Sequence, residues 1–215
     1  MFRRNLISWW RTNGREFPWR ETQRPYNLLV AEVFLHRTRA RQVAPLYLRF
    51  VREYRSWQDV ATASLHELRS LLKPLGLNWR VRLLHRMAKE IVRRFRGQTP
   101  RQRDALESLP GVGHYKATAV RCFAYGQPEV LLDTNTVRVL SRLRGIRQSD
   151  ASRRSRLYRT ELSQLLDRRR AREFNLALLD LAALVCKPSD PDCLACPVSD
   201  HCYYGRRRVR TRSQG

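Results

Sequence analysis

Four of the five cysteines fall within seventeen residues near the C-terminus, as Cys186, Cys193, Cys196 and Cys202. The pattern C-x6-C-x2-C-x5-C follows an amphipathic stretch and precedes a basic tail. Thiolates gathered this tightly are usually held by a metal centre, and four sulfur ligands suit tetrahedral zinc or an iron–sulfur cluster. A structural zinc site usually shows two C-x2-4-C pairs, and only Cys193/Cys196 form one. The uneven gaps therefore favour a cubane cluster, with zinc or two disulfides as the alternatives.

The chain has 215 residues, 42% of them hydrophobic, enough for one sizeable domain or two small ones. No apolar run approaches the ~18 residues of a membrane span. The start, MFRRNLISWWRTNGREF, lacks the apolar stretch and the cleavage site of a signal peptide. A cytoplasmic protein with no membrane partner is expected, which argues against disulfides. Cys122, among apolar residues, reads as a buried packing residue.

A formal charge of +24 is more than solubility requires and points to a polyanion, with counterion release from a phosphate backbone driving affinity. Only four of the 43 basic residues are lysines, namely Lys73, Lys89, Lys116 and Lys187. Guanidinium forks suit phosphates, but an arginine preference can equally reflect coding bias.

Apolar residues recur at helical spacing throughout, as in Leu65, Leu68, Leu71, Leu72 and in Leu83, Leu84, Met87, Ile91. Phe174, Ala177, Leu178, Leu181, Leu184 and Val185 describe one apolar face leading into Cys186. No window alternates as a strand would. Breaks fall at Pro25, Pro74 with Gly76, Gly97 to Pro100, Pro110 to Gly113, Gly126 to Pro128, and Gly145. The expected fold is all-α, with short helices. The arginine-rich end from Arg206 to Arg212 is expected to be disordered alone and to track phosphates when bound.

Leu109-Pro110-Gly111-Val112-Gly113 separates two helical runs. Gly111 and Gly113 let the backbone turn sharply and approach a ligand. The helix that follows offers unpaired N–H groups and a partial positive charge, a phosphate site to which His114 and Lys116 add charge.

This hairpin, followed by Gly126-x-Pro128 and Val130-Leu131-Leu132-Asp133-Thr134-Asn135, resembles the HhH-GPD superfamily of DNA glycosylases. The cysteine loop is similar to the [4Fe-4S] loop of its endonuclease III and MutY branches. Glu16-Phe17-Pro18-Trp19-Arg20, Pro25-Tyr26 and Ala31-Glu32-Val33-Phe34-Leu35 look like the N-terminal pattern of the adenine and mismatch-thymine branches. Arg172-Glu173-Phe174-Asn175 through Asp180 to Cys186 is similar to the segment entering the cluster there.

The resemblance implies two helical lobes with a DNA-binding cleft between them. Residues 17–127 would form a six-helix barrel domain with the hairpin. Residues 1–16 and 128–215 would form the cluster domain, with Cys186, Cys193, Cys196 and Cys202 as ligands. It also implies a monomer, nucleoid-associated, whose partner is double-stranded DNA carrying a mismatched or damaged base.

Asp133 is then the family aspartate, a carboxylate beside C1′ that stabilises an oxocarbenium-like transition state. Its plainer reading is an N-cap, and the two roles can coexist. Tyr115 stands where lyase members carry the Schiff-base lysine and the adenine branch a serine; tyrosine is the thymine-branch residue. A phenol forms no imine, so base release without strand cleavage is expected. Glu32, on an otherwise apolar helix, is a proton-transfer or base-placing group, or else a surface glutamate bonded to an arginine.

Leu77 matches the family's wedge position, which fills the gap left by a flipped nucleotide. Arg37, on the facing loop, is the candidate contact to the unpaired guanine; the plainer readings are a phosphate contact for Arg37 and a helix-end core residue for Leu77. Adenine enzymes usually carry a further domain for 8-oxoguanine, whereas this sequence runs about a dozen residues past Cys202. Together with Tyr115, this points to thymine or uracil opposite guanine, in the repair of deaminated (5-methyl)cytosine. An adenine glycosylase lacking that domain and a catalytically silent DNA-binding module are the alternatives.

Overall fold

Each long apolar-periodic run becomes a helix in the computed structural model, which describes residues 1–76 and 78–212. Among the described residues there are twelve α-helices and no strand. They begin with α1 (Phe2–Asn13), α2 (Pro25–Phe34), α3 (Ala40–Glu53), α4 (Trp57–Thr62), α5 (Leu65–Leu72) and α6 (Asn78–Phe95). The order continues with α7 (Arg103–Glu107), α8 (His114–Tyr125), α9 (Thr134–Arg144), α10 (Arg156–Leu165), α11 (Ala171–Leu184) and α12 (Tyr203–Arg212). The chain divides into two compact units, Glu16–Tyr125 and Met1–Arg15 with Gly126–Gly215. Among the described residues no helix is long and apolar enough to cross a membrane.

The unit Glu16–Tyr125 holds α2 to α8 around one apolar core. Leu29, Phe34, Phe50, Trp57, Leu68, Met87 and Ile91 are all sealed from solvent there. Burying such side chains contributes about 1.5–3 kcal/mol each, before chain entropy opposes it. Serines start the short helices: Ser56 and Ser64 each accept from the third helical N–H, while Asp59 and Glu67 reach back to complete capping boxes. α2 packs against α8, and α4 against α6.

In the other unit, α1 packs on α11, and α9 meets both α11 and α12. The α11 face is buried at Phe174, Ala177, Leu178 and Leu181, but Leu184 is 38% exposed, contrary to the sequence pattern. It is the last residue of α11, where the packed stripe gives way to the cysteine loop.

Two polar residues interrupt that stripe, and both are used. Asp180, fully buried, accepts from Trp10 Nε1 at 3.0 Å, Arg15 N at 2.9 Å and Arg15 Nε at 2.6 Å. Those contacts tie the end of α1 to α11. A buried carboxylate left without such partners would cost several kcal/mol. Asn175 donates to Glu129 O and Ala171 O and accepts from Leu131 N, fixing the segment that leads to Asp133.

The arginine-rich end is helical rather than disordered. Arg206 to Arg212 continue α12. Tyr203 and Tyr204 receive hydrogen bonds from Arg207 and Arg208 one turn on, and Arg208 also reaches Asp190. The Arg142 guanidinium lies over the Tyr204 ring, so α9 gives the basic helix a surface to rest on.

Candidate active site and cysteine centre

The hairpin lies between α7 and α8. Gly111 has φ +76, and a Cβ there would run into the Leu83 side chain, so glycine is required by the fold. Gly113 is different. It is exposed, its φ is not positive, and a Cβ would meet nothing within 4 Å. Its bareness leaves open space at the start of α8, where the first N–H groups lack intrahelical acceptors.

The two glycines should therefore separate experimentally. Gly111→Ala is expected to cost about 1–3 kcal/mol of stability from strain. Gly113→Ala should cost less than about 1 kcal/mol, the scale of a cap change, yet weaken duplex binding more. Thermal melts and a salt-matched binding titration of both variants check this; equal ranking in the two measurements would refute it.

His114 is exposed at the first turn of α8, with Nδ1 2.9 Å from Glu107 Oε1. Tyr115 is half-buried beside it. Lys116 is not splayed on the rim: it is half-buried, and its Nζ donates to Gly111 O at 2.8 Å. Burial pushes its amine below the ordinary lysine range, the Glu32 carboxylate pulls it back up, and Arg80 adds to the depression. Glu32, half-buried on α2, and Lys116 on α8 are thus brought within electrostatic reach.

After α2 the chain passes through His36 and Arg37, both exposed, with Arg37 at φ 59. This loop is held from beneath by Arg80, which is 3% exposed. Its Nη1 donates to Phe34 O at 2.8 Å and to Thr38 Oγ1 at 3.1 Å, and its Nη2 donates to His36 O. Carbonyls at a helix C-terminus lack intrahelical donors, and a guanidinium fork fits them. Desolvation and the charges of Lys116, Arg80 and Arg37 hold the His36 imidazole below its usual range. Its ring meets the 41% exposed Trp79 edge-on at 5.9 Å. Leu77, the wedge position, lies outside the described residues.

Asp133 belongs to the other unit, where it is the N-cap of α9. Its Oδ1 accepts from Asn135 N at 2.9 Å and Thr136 N at 2.7 Å, while Oδ2 accepts from Asn135 Nδ2 at 3.0 Å. Thr136 Oγ1 in turn accepts from Asp133 N at 2.9 Å. The plainer reading of Asp133 is therefore true as far as it goes. The carboxylate is also half-buried and rigidly aimed, the condition for electrostatic work on a reacting centre.

In the same unit, Cys186, Cys193, Cys196 and Cys202 line one pocket, and none is in a disulfide. Among the described residues no three His, Cys, Asp or Glu side chains converge closely enough to share one metal ion. Four thiols lining one pocket, none of them in a disulfide, are the donor set that a thiolate-bound metal centre would use. Burial pushes the Cys196 thiol up to about 12, so a bound cation is what would hold it as thiolate.

Donors surround the sulfurs. Arg142 Nη1 lies 3.4 Å from Cys186 Sγ and 2.6 Å from Lys187 O, and Gly205 N lies 3.4 Å from Cys202 Sγ. Arg138 donates to Cys186 O at 3.0 Å and Ala182 O at 2.9 Å. Such outer contacts orient ligands and offset the negative charge of a thiolate-bound centre. Sequence reasoning passed over Arg80, Arg138 and Arg142, because nothing distinguishes them within an arginine-rich chain.

A family model described as HhH-GPD superfamily base excision DNA repair protein matches residues 30–164. The chain is 39% identical to a thymine/uracil-DNA glycosylase of Pyrobaculum aerophilum, over 97% of this chain and 94% of that protein. It is 37% identical to the adenine DNA glycosylase of Rattus norvegicus, over 94% of this chain but 41% of that protein. A solved thermostable thymine-DNA glycosylase superposes with TM-score 0.90 at 32% identity, covering 96% of this chain and 95% of that one. With most of the sequence matched by the family model and near-full-length likeness at this identity, the chain belongs to the HhH-GPD superfamily of base excision DNA repair proteins.

Proposed function

We propose that this protein is a monofunctional DNA glycosylase, acting as a monomer, that hydrolyses the N-glycosidic bond of thymine or uracil mispaired with guanine in double-stranded DNA. The observation that carries this reading is a tyrosine, not a lysine, two residues beyond the bare Gly113 of a hairpin built to meet phosphate. Near-full-length likeness to a thymine/uracil-DNA glycosylase supports the choice of base.

Each candidate residue then has a task. Backbone N–H groups around Gly111 and Gly113, with His114, hold the phosphate backbone, Lys116 braces the turn through Gly111 O, and the +24 charge draws the duplex in. Leu77 fills the gap left by the extruded nucleotide, and Arg37 contacts the widowed guanine. Tyr115 abuts the extruded base, and Glu32 helps place the base or a water. The Asp133 carboxylate stabilises positive charge growing on the sugar and orients the attacking water.

Cys186, Cys193, Cys196 and Cys202 would hold a [4Fe-4S] cluster. Its contribution would be structural, holding together the loop that carries Cys186, Cys193, Cys196 and Cys202. Cys193→Ser is expected to lose the visible absorbance of thiolate-bound iron and to lower the melting temperature of the unit holding α9 to α12. Metal analysis finding stoichiometric zinc and no iron in the wild type would overturn the cluster.

The function is tested by base release from duplexes carrying G·T, G·U and A·8-oxoguanine, each analysed with and without alkali. Release from G·T or G·U, with strand cutting only after alkali, is the expected result. Preferential adenine release would move the chain to the adenine branch, and no release from any duplex would leave a binding module.

A further inference from the structure

Arg80 is sealed from solvent, yet among the described residues its hydrogen bonds all run to the end of α2 and the loop after it. Nη1 donates to Phe34 O at 2.8 Å and to Thr38 Oγ1 at 3.1 Å. Nη2 donates to His36 O and also to Thr38 Oγ1, at 3.1 Å. Its Nε is buried and meets no acceptor. A desolvated guanidinium with one donor unpaired is a poor source of stability, so its place is explained by what the fork holds.

The acceptors bracket a single residue. His36 O lies just before Arg37 and Thr38 Oγ1 just after it, and between them Arg37 sits at φ 59. A residue with a Cβ disfavours that left-handed conformation, and a free loop would leave it. One backbone bond closes the turn, from Thr38 N to Leu35 O at 3.2 Å. The Arg80 fork supplies the rest, and Trp79, beside it on α6, sets its ring edge-on against His36. Arg37 thus has a backbone gripped from within and a side chain open to solvent.

We infer that Arg80 is a positioning residue for recognition of the base opposite the excised one, holding Arg37 in the conformation that presents its guanidinium to guanine. The inference rests on the proposed contact between Arg37 and guanine and deepens it. Discrimination is then set by a buried side chain that does not itself meet the duplex. Guanine offers paired acceptors that a guanidinium meets bidentately, and such a contact discriminates only when its carrier is fixed.

The test compares Arg80→Met, which keeps the aliphatic stem and removes the fork, with Arg80→Lys, which keeps the charge on a single donor group. Arg37→Ala, alone and combined with Arg80→Met, completes the set. Each protein is titrated with duplexes carrying a tetrahydrofuran abasic analogue opposite guanine or opposite adenine, at one salt concentration. The wild type should prefer guanine by about tenfold or more, the scale of a bidentate contact. Arg80→Met should lose that preference while binding the adenine duplex nearly as the wild type does, and Arg80→Lys should fall between. The double variant should discriminate no worse than Arg37→Ala. Hydrogen exchange over residues 35–39, read without DNA, should quicken in both Arg80 variants.

An Arg80 variant that keeps the full preference overturns the inference, as does one weakened equally on both duplexes. Unchanged exchange in both variants overturns it too. Should Arg80→Met fail to fold, Arg80→Lys decides by the same two readings. If the wild type shows no preference, or Arg37→Ala keeps it, the guanine contact fails and the inference falls with it. A preference lost in Arg37→Ala but kept in the Arg80 variants removes only the role of Arg80.

Discussion

Asp133→Asn is expected to lower base release by about a hundredfold or more while leaving the protein folded and able to bind duplex. The expectation follows from the two things this side chain does. As the cap of α9 it accepts from Asn135 N and Thr136 N through one oxygen. Asparagine is as good a cap as aspartate, so the helix start should lose less than about 1 kcal/mol. What asparagine cannot supply is charge.

A preorganised electrostatic group is worth about 3 kcal/mol in the transition state, which is the hundredfold. Asp133→Ser sharpens the comparison, because serine caps well and carries no carboxylate. Single-turnover release from a G·T duplex, measured beside thermal melts, separates the roles. If both variants turn over near the wild-type rate, the carboxylate is a cap and nothing more.

The all-α architecture was legible because periodicity, breakers and caps agreed along the chain. Leu65 to Leu72 and Leu83 to Ile91 carry the 3.6-residue repeat, and glycines close some of the helices, as Gly14 does after α1 and Gly145 after α9. Leu184 misled because a repeat identifies a face but not how far its partner extends. The arginine-rich end misled because composition alone predicts solvation. Its helix depends on Tyr203, Tyr204 and Asp190 meeting particular arginines in space.

The candidate site was legible unevenly. Asp133 could be found because Val130-Leu131-Leu132-Asp133-Thr134-Asn135 resembles a family motif and aspartate is a favoured cap. Gly111 and Gly113 look equivalent in sequence, and only the Leu83 contact and the positive φ separate the structural glycine from the bare one. The inward turn of Lys116 depends on a carbonyl that exists only once the hairpin forms. Arg80 could not be singled out, since burial is what makes a clamp of one arginine among many.

Tyr115→Lys is expected to add a new reaction. The wild type should release the base and leave an abasic strand that breaks only on heating in alkali. The variant should cut the strand itself and become trapped on DNA by borohydride. An amine at this position would replace the half-buried side chain of Tyr115, and burial favours the neutral form of an amine. There a larger fraction of the amine is unprotonated and able to attack C1′ of the opened sugar.

The neighbour is the internal control. Lys116 carries an amine one residue further along α8, about 100° around the helix, and that amine is engaged by Gly111 O. A labelled G·T duplex, run on a denaturing gel without alkali and repeated with borohydride, reads both proteins at once. A trapped wild-type adduct would show that another amine, such as Lys116, is the nucleophile and end the monofunctional reading. An intact wild-type strand beside a trapped Tyr115→Lys adduct would place residue 115 against the sugar, because imine formation tolerates little displacement of the amine.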